Sequence, residues 1–320
     1  MMRRLFKKNK KNINCRSVGL TLSVNSPCLK TKKVSSLGKN QKTIAEPAIF
    51  KGLGLFTGQK VEIILKPAKE NTGIVFQRVD LKNKPFLEAQ VKNVCATPRC
   101  TVIGKDEVVV QTVEHLLAAI KAYEIDNLII EINGPEVPIG DGSAMPFIEL
   151  IEKAGINYQR SIKKFYHLGA PVYWSQGDVH LVALPSDEFR ISYTLNYPNS
   201  EILRAQYQSI GINEESFKSE IAPSRTFSLY EEAVPFIERG LMKGGSLENA
   251  VLIKGGVILN PEGLRFSDEM VRHKILDLIG DLSLVGFSFF AHIIAIRSGH
   301  FSNTCFAKEI YNQIIMENSQ

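Results

Sequence analysis

Beyond residue 44 the hydrophobic pattern switches between the two-residue period of a strand and the 3.6-residue period of a helix, in the same order twice. In the first pass IAEPAIFKGLGLFTGQKVEIILKP reads as two strands about a glycine-punctuated turn, with clean alternation in KVEIILK. TGIVFQRVD and FLEAQVKNV read as two more strands. VVVQTVEHLLAAIKAYEI then takes helical spacing, with Val113, Leu116, Leu117 and Ile120 on one face. DNLIIEING returns to strand, and AMPFIELIEKAGI is a helix that Gly155 closes. In the second pass YHLGAPVYW, DVHLVALP and FRISYTLNY are strands, and a helix, a Gly-Gly turn and a strand lead to the long helical stretch 267–286. The strand AHIIAIRSGH and a last helix from about Thr304 follow. This is an internal repeat of elements rather than of residues. It predicts an α+β protein of two similar domains, 44–160 and 161–320, each a mainly antiparallel sheet with helices.

Charge is unevenly spread. The net charge is +6 over 320 residues, but residues 1–45 hold 12 of the 39 Lys and Arg and none of the 33 Asp and Glu. The remainder carries 27 basic and 33 acidic side chains, so the body is mildly acidic and nucleic acid is not an expected partner. Residues 1–43 are rich in Arg, Lys, Ser and Asn and hold no acid, the composition of a transit peptide. Mitochondrial targeting is the expectation, with plastid as the alternative; a disordered basic tail, or an arm that touches RNA, is the competing reading. Of the five cysteines, Cys15 and Cys28 lie in the leader, and Cys95, Cys100 and Cys305 show no C-x-x-C spacing. Neither a disulfide framework nor a cysteine zinc knuckle is expected. No run of 18 apolar residues is present, so no transmembrane helix is expected.

Chemistry concentrates in SDEMVRHKILDLIGDLSLVG, residues 267–286. Val271, Ile275, Leu278, Ile279, Leu282 and Val285 form an apolar stripe, while His273, Asp277 and Asp281 fall one above another on a different face. A His and an Asp one turn apart can reach a single cation, and imidazole with carboxylate suits zinc better than magnesium or calcium. The alternative is a solvated charged face. Thr112-Val113-Glu114-His115, at the start of the first-half helix, supplies a second constellation. His115, His273 and Asp277 together give three ligands, one from the first domain and two from the second, and leave the fourth position to water, as in catalytic zinc sites. Glu114 is then placed as base, Lys274 as the cation for a developing oxyanion, His300 as acid for a leaving amine, and Asp281 as the carboxylate that holds the charge of His300.

With these residues identified, the chain resembles the zinc-dependent UDP-3-O-acyl-N-acetylglucosamine deacetylases of lipid A biosynthesis. The shared stretches include GLGLFTGQKVEIILKPA, TVEHLLAA, PEVPIGDGSAMPF, SRTF, RGLMKGGSLENA and LRFSDEMVRHKILDLIGDL, in family order from about residue 44 to 312. The resemblance implies two α+β domains with their helices sandwiched between the two sheets. It implies Zn2+ on His115, His273 and Asp277, with Glu114, His300 and Asp281 in the roles above and Lys274 and Thr226 at the oxyanion. It further implies substrate contacts at Phe227, Gly244, Gly245 and Cys100, an acyl-chain passage formed by an insert near 228–258, and a monomer acting on a small acylated UDP-amino sugar. Two departures stand out. The basic leader points to an organellar, plant version, and Pro98-Arg99-Cys100 replaces a more apolar approach to the site. Two other readings remain open: the same chemistry on a different N-acyl substrate, and a binding protein with a structural zinc.

Overall fold

The two passes become two sheets of one topology. The structure is a computed structural model describing residues 38–198, 200 and 202–318; the basic leader up to residue 37 lies outside the described residues. The first pass consists of β1 (Asn40–Ile44), β2 (Ala48–Leu53), β3 (Lys60–Pro67), β4 (Ile74–Arg78), β5 (Phe86–Glu88), β6 (Val94–Ala96), β7 (Val102–Lys105), β8 (Val108–Gln111), α1 (Glu114–Ala122), β9 (Leu128–Ile132) and α2 (Met145–Ala154). The second runs β10 (Ile156–Ile162), β11 (Phe165–His167), β12 (Val172–Gln176), β13 (Val179–Leu184), β14 (Phe189–Leu195), β15 (Gln206–Gly211), α3 (Glu214–Ser216), β16 (Phe227–Leu229), α4 (Tyr230–Glu238), β17 (Val251–Lys254), β18 (Val257–Ile258), α5 (Glu269–Ser283), β19 (Ser288–Ile296) and α6 (His300–Asn318). β1 therefore begins four residues before residue 44.

The first sheet has the order β2-β3-β9-β4-β5 and the second β12-β13-β19-β14-β15, with β11 also pairing β19. In both, the last strand inserts at the centre, antiparallel to the second strand and parallel to the third. Each sheet reaches its central strand through a crossover that carries a small three-stranded sheet and then a helix: β6-β7-β8 with α1, and β16-β17-β18 with α5. The repeat read from element order is thus a repeat of topology.

Alternation decides which face of each sheet is buried. In β3, Val61, Ile63 and Leu65 point inward, and in β19 so do Phe289, Ala291, Ile293 and Ala295. α2 packs on β2, α5 on β14 and β15, and α6 on β12 and β13, while α1 and α5 pack on each other. The helices therefore lie between the sheets, and the apolar residues of both halves form one continuous core. The five stripe residues on α5, and Val285 just beyond it, are at most 1% exposed, yet Glu269, His273, Asp277 and Asp281 are also at most 2% exposed. The charged face meets α1 rather than solvent.

Gly280 permits that meeting. A Cβ there would overlap the carbonyl oxygen of Glu114. A helix-interior glycine costs about 1 kcal/mol relative to alanine, so it is kept for the close approach of the two backbones. Gly280→Ala is expected to destabilise the fold by about 1–3 kcal/mol, because the obstacle is backbone and α5 must shift. Chemical denaturation measures this, and an unchanged midpoint would show that the crossing has slack.

Two local expectations are corrected. FLEAQVKNV is not one strand: it divides into β5, a 3-10 turn at Val91–Asn93, and β6. The Val91 N–H donates to the Leu284 carbonyl at 2.7 Å, and this tertiary bond draws the chain out of the sheet. The last helix starts at His300 rather than near Thr304. Ser302 Oγ accepts from the Gly299 N–H at 2.9 Å, and the Asn303 N–H reaches the Gly299 carbonyl at 2.8 Å, so the first turn closes on Gly299.

Candidate active site

The two equivalent helices, α1 and α5, bring the ligand candidates together. His115 sits in the first turn of α1, and His273 and Asp277 lie one turn apart on α5. One possible ligand atom of each falls within 4.8 Å of the others. Asp277 Oδ1 is 3.3 Å from His273 Nε2 and 3.6 Å from His115 Nε2, with all three side chains at most 5% exposed. The imidazole rings are nearly perpendicular, their centroids 4.9 Å apart. His273 Nδ1 lies 3.1 Å from the Ser224 carbonyl, which can only accept, so the proton is on Nδ1 and the Nε2 lone pair faces Asp277. Burial lowers the pKa of His115, favouring the neutral, ligating form. Asp277 Oδ1 is buried without a hydrogen-bond donor, as is His115 Nδ1. An ionised oxygen left unpaired between two imidazoles fits a divalent cation. Burial alone would raise the Asp277 pKa, but neighbouring positive charge, that of Lys274 foremost, holds it well below the usual carboxylate range.

The proton-transfer groups surround this cradle. Glu114 is 3% exposed and accepts from the Thr101 N–H at 3.0 Å through Oε2. Burial pushes its pKa up to about 7; the charge of His300 opposes this, while Asp281 and Asp277 add to it. His300, at the start of α6, points Nε2 between Glu114 Oε1 at 4.0 Å and Asp277 Oδ2 at 3.9 Å. Its Nδ1–H donates to Asp281 Oδ2 at 3.0 Å. Burial favours neutral imidazole, but Asp281 and then Asp277 outweigh it and raise the His300 pKa to about 9. Lys274 donates to Asp277 Oδ2 at 2.7 Å and lies 5.6 Å from the Phe227 ring centroid. Desolvation works against its charge, yet Asp277 keeps it firmly protonated.

These side chains open onto a cleft of about 270 Å3, lined by Glu114, His115, Thr226, Phe227, Lys274, Asp277 and His300, and walled by Leu55, Phe56, Ile139 and Leu229. Thr226 is set by its N–H to the Gly142 carbonyl at 2.9 Å. Thr112, on the rim, is a β-branched residue at φ 59°, a strained conformation that a buried hydroxyl bond to Glu136 and an N–H bond to the Thr101 carbonyl maintain. A second cavity of about 400 Å3, carrying Asn196, Pro198 and Arg297, adjoins the cleft and shares Tyr197, Leu229, Glu232 and Lys274 with it.

Every residue expected to take part in metal binding or proton transfer is therefore in one place. The remaining expected contacts lie further out. Cys100 is 1% exposed and does not line the cleft; burial, with the nearby charge of Glu114, pushes its thiol pKa well above the ordinary value. Gly244 and Gly245 are not on the cleft wall but brace it: the Gly244 N–H donates to the Leu55 carbonyl at 3.0 Å, and Gly245 closes a turn on Met242. A side chain at Gly244 would overlap the Gly54 carbonyl oxygen. Sequence spacing did not single out Thr101 or Tyr197, which reach the site from elements remote in sequence, nor Ser224 and Asn303, which neighbour Thr226 and His300 but act through a backbone carbonyl and an amide.

A cradle that offers three candidate ligands would leave a fourth position for water, and a buried carboxylate raised to about 7 beside it would suit that water's proton. Chemistry of that kind places the chain among the hydrolases. The UDP-3-O-acyl N-acetylglycosamine deacetylase (LpxC) family matches residues 41–312, and the chain belongs to it. The UDP-3-O-acyl-N-acetylglucosamine deacetylase of Chlamydia pneumoniae is 49% identical over 275 residues, 86% of this chain and 98% of the relative. Those of Chlamydia trachomatis serovar L2 and Chlamydia felis are each 47% identical, over 274 and 278 residues, covering 96% and 99% of those proteins.

Proposed function

We propose that the chain hydrolyses the N-acetyl group of UDP-3-O-acyl-N-acetylglucosamine with zinc as the cation, releasing acetate and UDP-3-O-acyl-glucosamine in a committed step of lipid A biosynthesis. The observation that carries the cofactor reading is the unpaired, buried Asp277 Oδ1 facing two neutral-capable imidazoles. Two nitrogens and one oxygen form a donor set that suits zinc.

When bound, the cation polarises the amide carbonyl and lowers the pKa of a coordinated water toward ~7. Glu114 takes the proton from the attacking water, its Oε2 held by Thr101 and its Oε1 directed at the cleft. Lys274 and Thr226, both on the cleft wall, stabilise the oxyanion. His300, charged through Asp281, gives its proton to the departing sugar amine. Phe227 and the apolar wall of Leu55, Phe56 and Leu229 cover the acetyl group and the start of the acyl chain. The adjoining cavity, with Arg297 and Lys274 as its cations, suits the diphosphate.

The test is acetate release by the purified chain, with zinc, after chelation, and with an acylated sugar that lacks UDP. Zinc-restored release that depends on UDP supports the reading; no release from zinc-loaded protein rejects it. For His300, which must be protonated to act, rate is expected to fall as pH rises through about 9. His300→Ala should slow the reaction and remove this basic limb, and a mutant profile that keeps the limb would assign the acid elsewhere.

A further inference from the structure

We infer that Thr101, which no family motif used above singles out, is a positioning residue that ties the base Glu114 to Asp281, the carboxylate behind the acid His300. Thr101 opens the strand β7 region in the small sheet of the first half and is 0% exposed. It makes three bonds of different kinds. Its N–H donates to Glu114 Oε2 at 3.0 Å, its hydroxyl donates to Asp281 Oδ1 at 2.5 Å, and its carbonyl accepts from the Thr112 N–H at 3.0 Å. The last bond fixes the strained residue two positions before Glu114.

Glu114 and Asp281 belong to different helices, α1 and α5, and both carboxyls are buried. Neither helix supplies a bond that relates one carboxylate to the other. One residue from a third element does so, with its backbone on one carboxylate and its side chain on the other. Asp281 is 0% exposed, and its two oxygens have three donors: Thr101 on Oδ1, and His300 and Asn303 on Oδ2. Thr101 therefore fills the oxygen that His300 does not use. This leaves Oδ2 directed at Nδ1 of His300 and Nε2 directed toward Glu114. Without the hydroxyl, Asp281 would rotate to find another donor, and His300 would turn with it. Cys100, the neighbour with more obvious chemistry, does not line the cleft, while Thr101 bonds directly to Glu114, which does.

This inference rests on the roles proposed for Glu114, His300 and Asp281, so the wild-type chain is assayed beside each variant; absence of wild-type turnover would reject the function, not this residue's part in it. Thr101→Val keeps the shape and the N–H bond to Glu114 and removes only the hydroxyl. The variant is expected to lose about tenfold or more in kcat, the value of one hydrogen bond to a charged group, with KM within about twofold. Metal stoichiometry should be unchanged. Thr101→Ser restores the hydroxyl and should return kcat to within about threefold of wild type. Wild-type kcat in Thr101→Val overturns the inference. So does a parallel change in kcat, KM and metal content, or a Ser variant no faster than the Val variant; any of these would mark Thr101 as a packing residue.

Discussion

Glu114→Ala is expected to bind its metal as the wild type does and to lose about 10²–10⁴-fold in kcat, or about 3–5 kcal/mol of transition-state stabilisation. The physical argument separates the two readouts. His115, His273 and Asp277 form the cradle, and Glu114 is not among them. Its Oε1 looks toward His300 across the cleft, where the proposed reaction would have the attacking water give up its proton. As a base, Glu114 must be ionised, so rate should rise with pH through its pKa. Burial places that value at about 7, and a cation in the cradle moves the limb lower because positive charge favours the carboxylate. Metal analysis and steady-state kinetics on the same preparation check the result. Turnover near wild type would assign the base elsewhere, and loss of metal would make Glu114 part of the cradle.

Stripping the metal should abolish acetate release, and one equivalent of zinc should restore it. The structural effect should be as large as the catalytic one. The cradle joins α1 to α5, the pair on which both halves of the core converge. A cation bound by the folded state alone adds about 4 kcal/mol of stability at free metal a thousandfold above its Kd. Chelation should therefore lower the denaturation midpoint of the wild type. In Asp277→Ala, which lacks the only oxygen of the cradle, zinc should return neither activity nor midpoint. Chelated protein with full turnover would overturn the metal-dependent mechanism.

Much of this was legible in the chain itself. The alternation of KVEIILK became β3, and the His273–Asp277–Asp281 spacing put three polar side chains on one face of α5. The spacing could not show whether that face met solvent or another helix. The close approach at Gly280 decided it, and a glycine within a helix carries no signal of what it will touch. The split of FLEAQVKNV was hidden for the same reason, since it depends on the bond from the Val91 N–H to the Leu284 carbonyl, whereas the early start of α6 rests on a local bond from the Gly299 N–H to Ser302.

The amino-acid sequence by itself determined the two periods, their repeated order, and the helical spacing of the candidate ligands His273 and Asp277, because these depend on neighbours within one or two turns. It also carried enough family pattern to imply the chemistry. Only the tertiary structure decided that α1 and α5 cross with their polar faces together, that the Asp277 carboxylate keeps an unpaired oxygen between two imidazoles, and that Thr101 reaches both Glu114 and Asp281. These are contacts between segments as much as 180 residues apart. Their geometry follows from how the two sheets bury their apolar faces around the helices, and no local pattern encodes it.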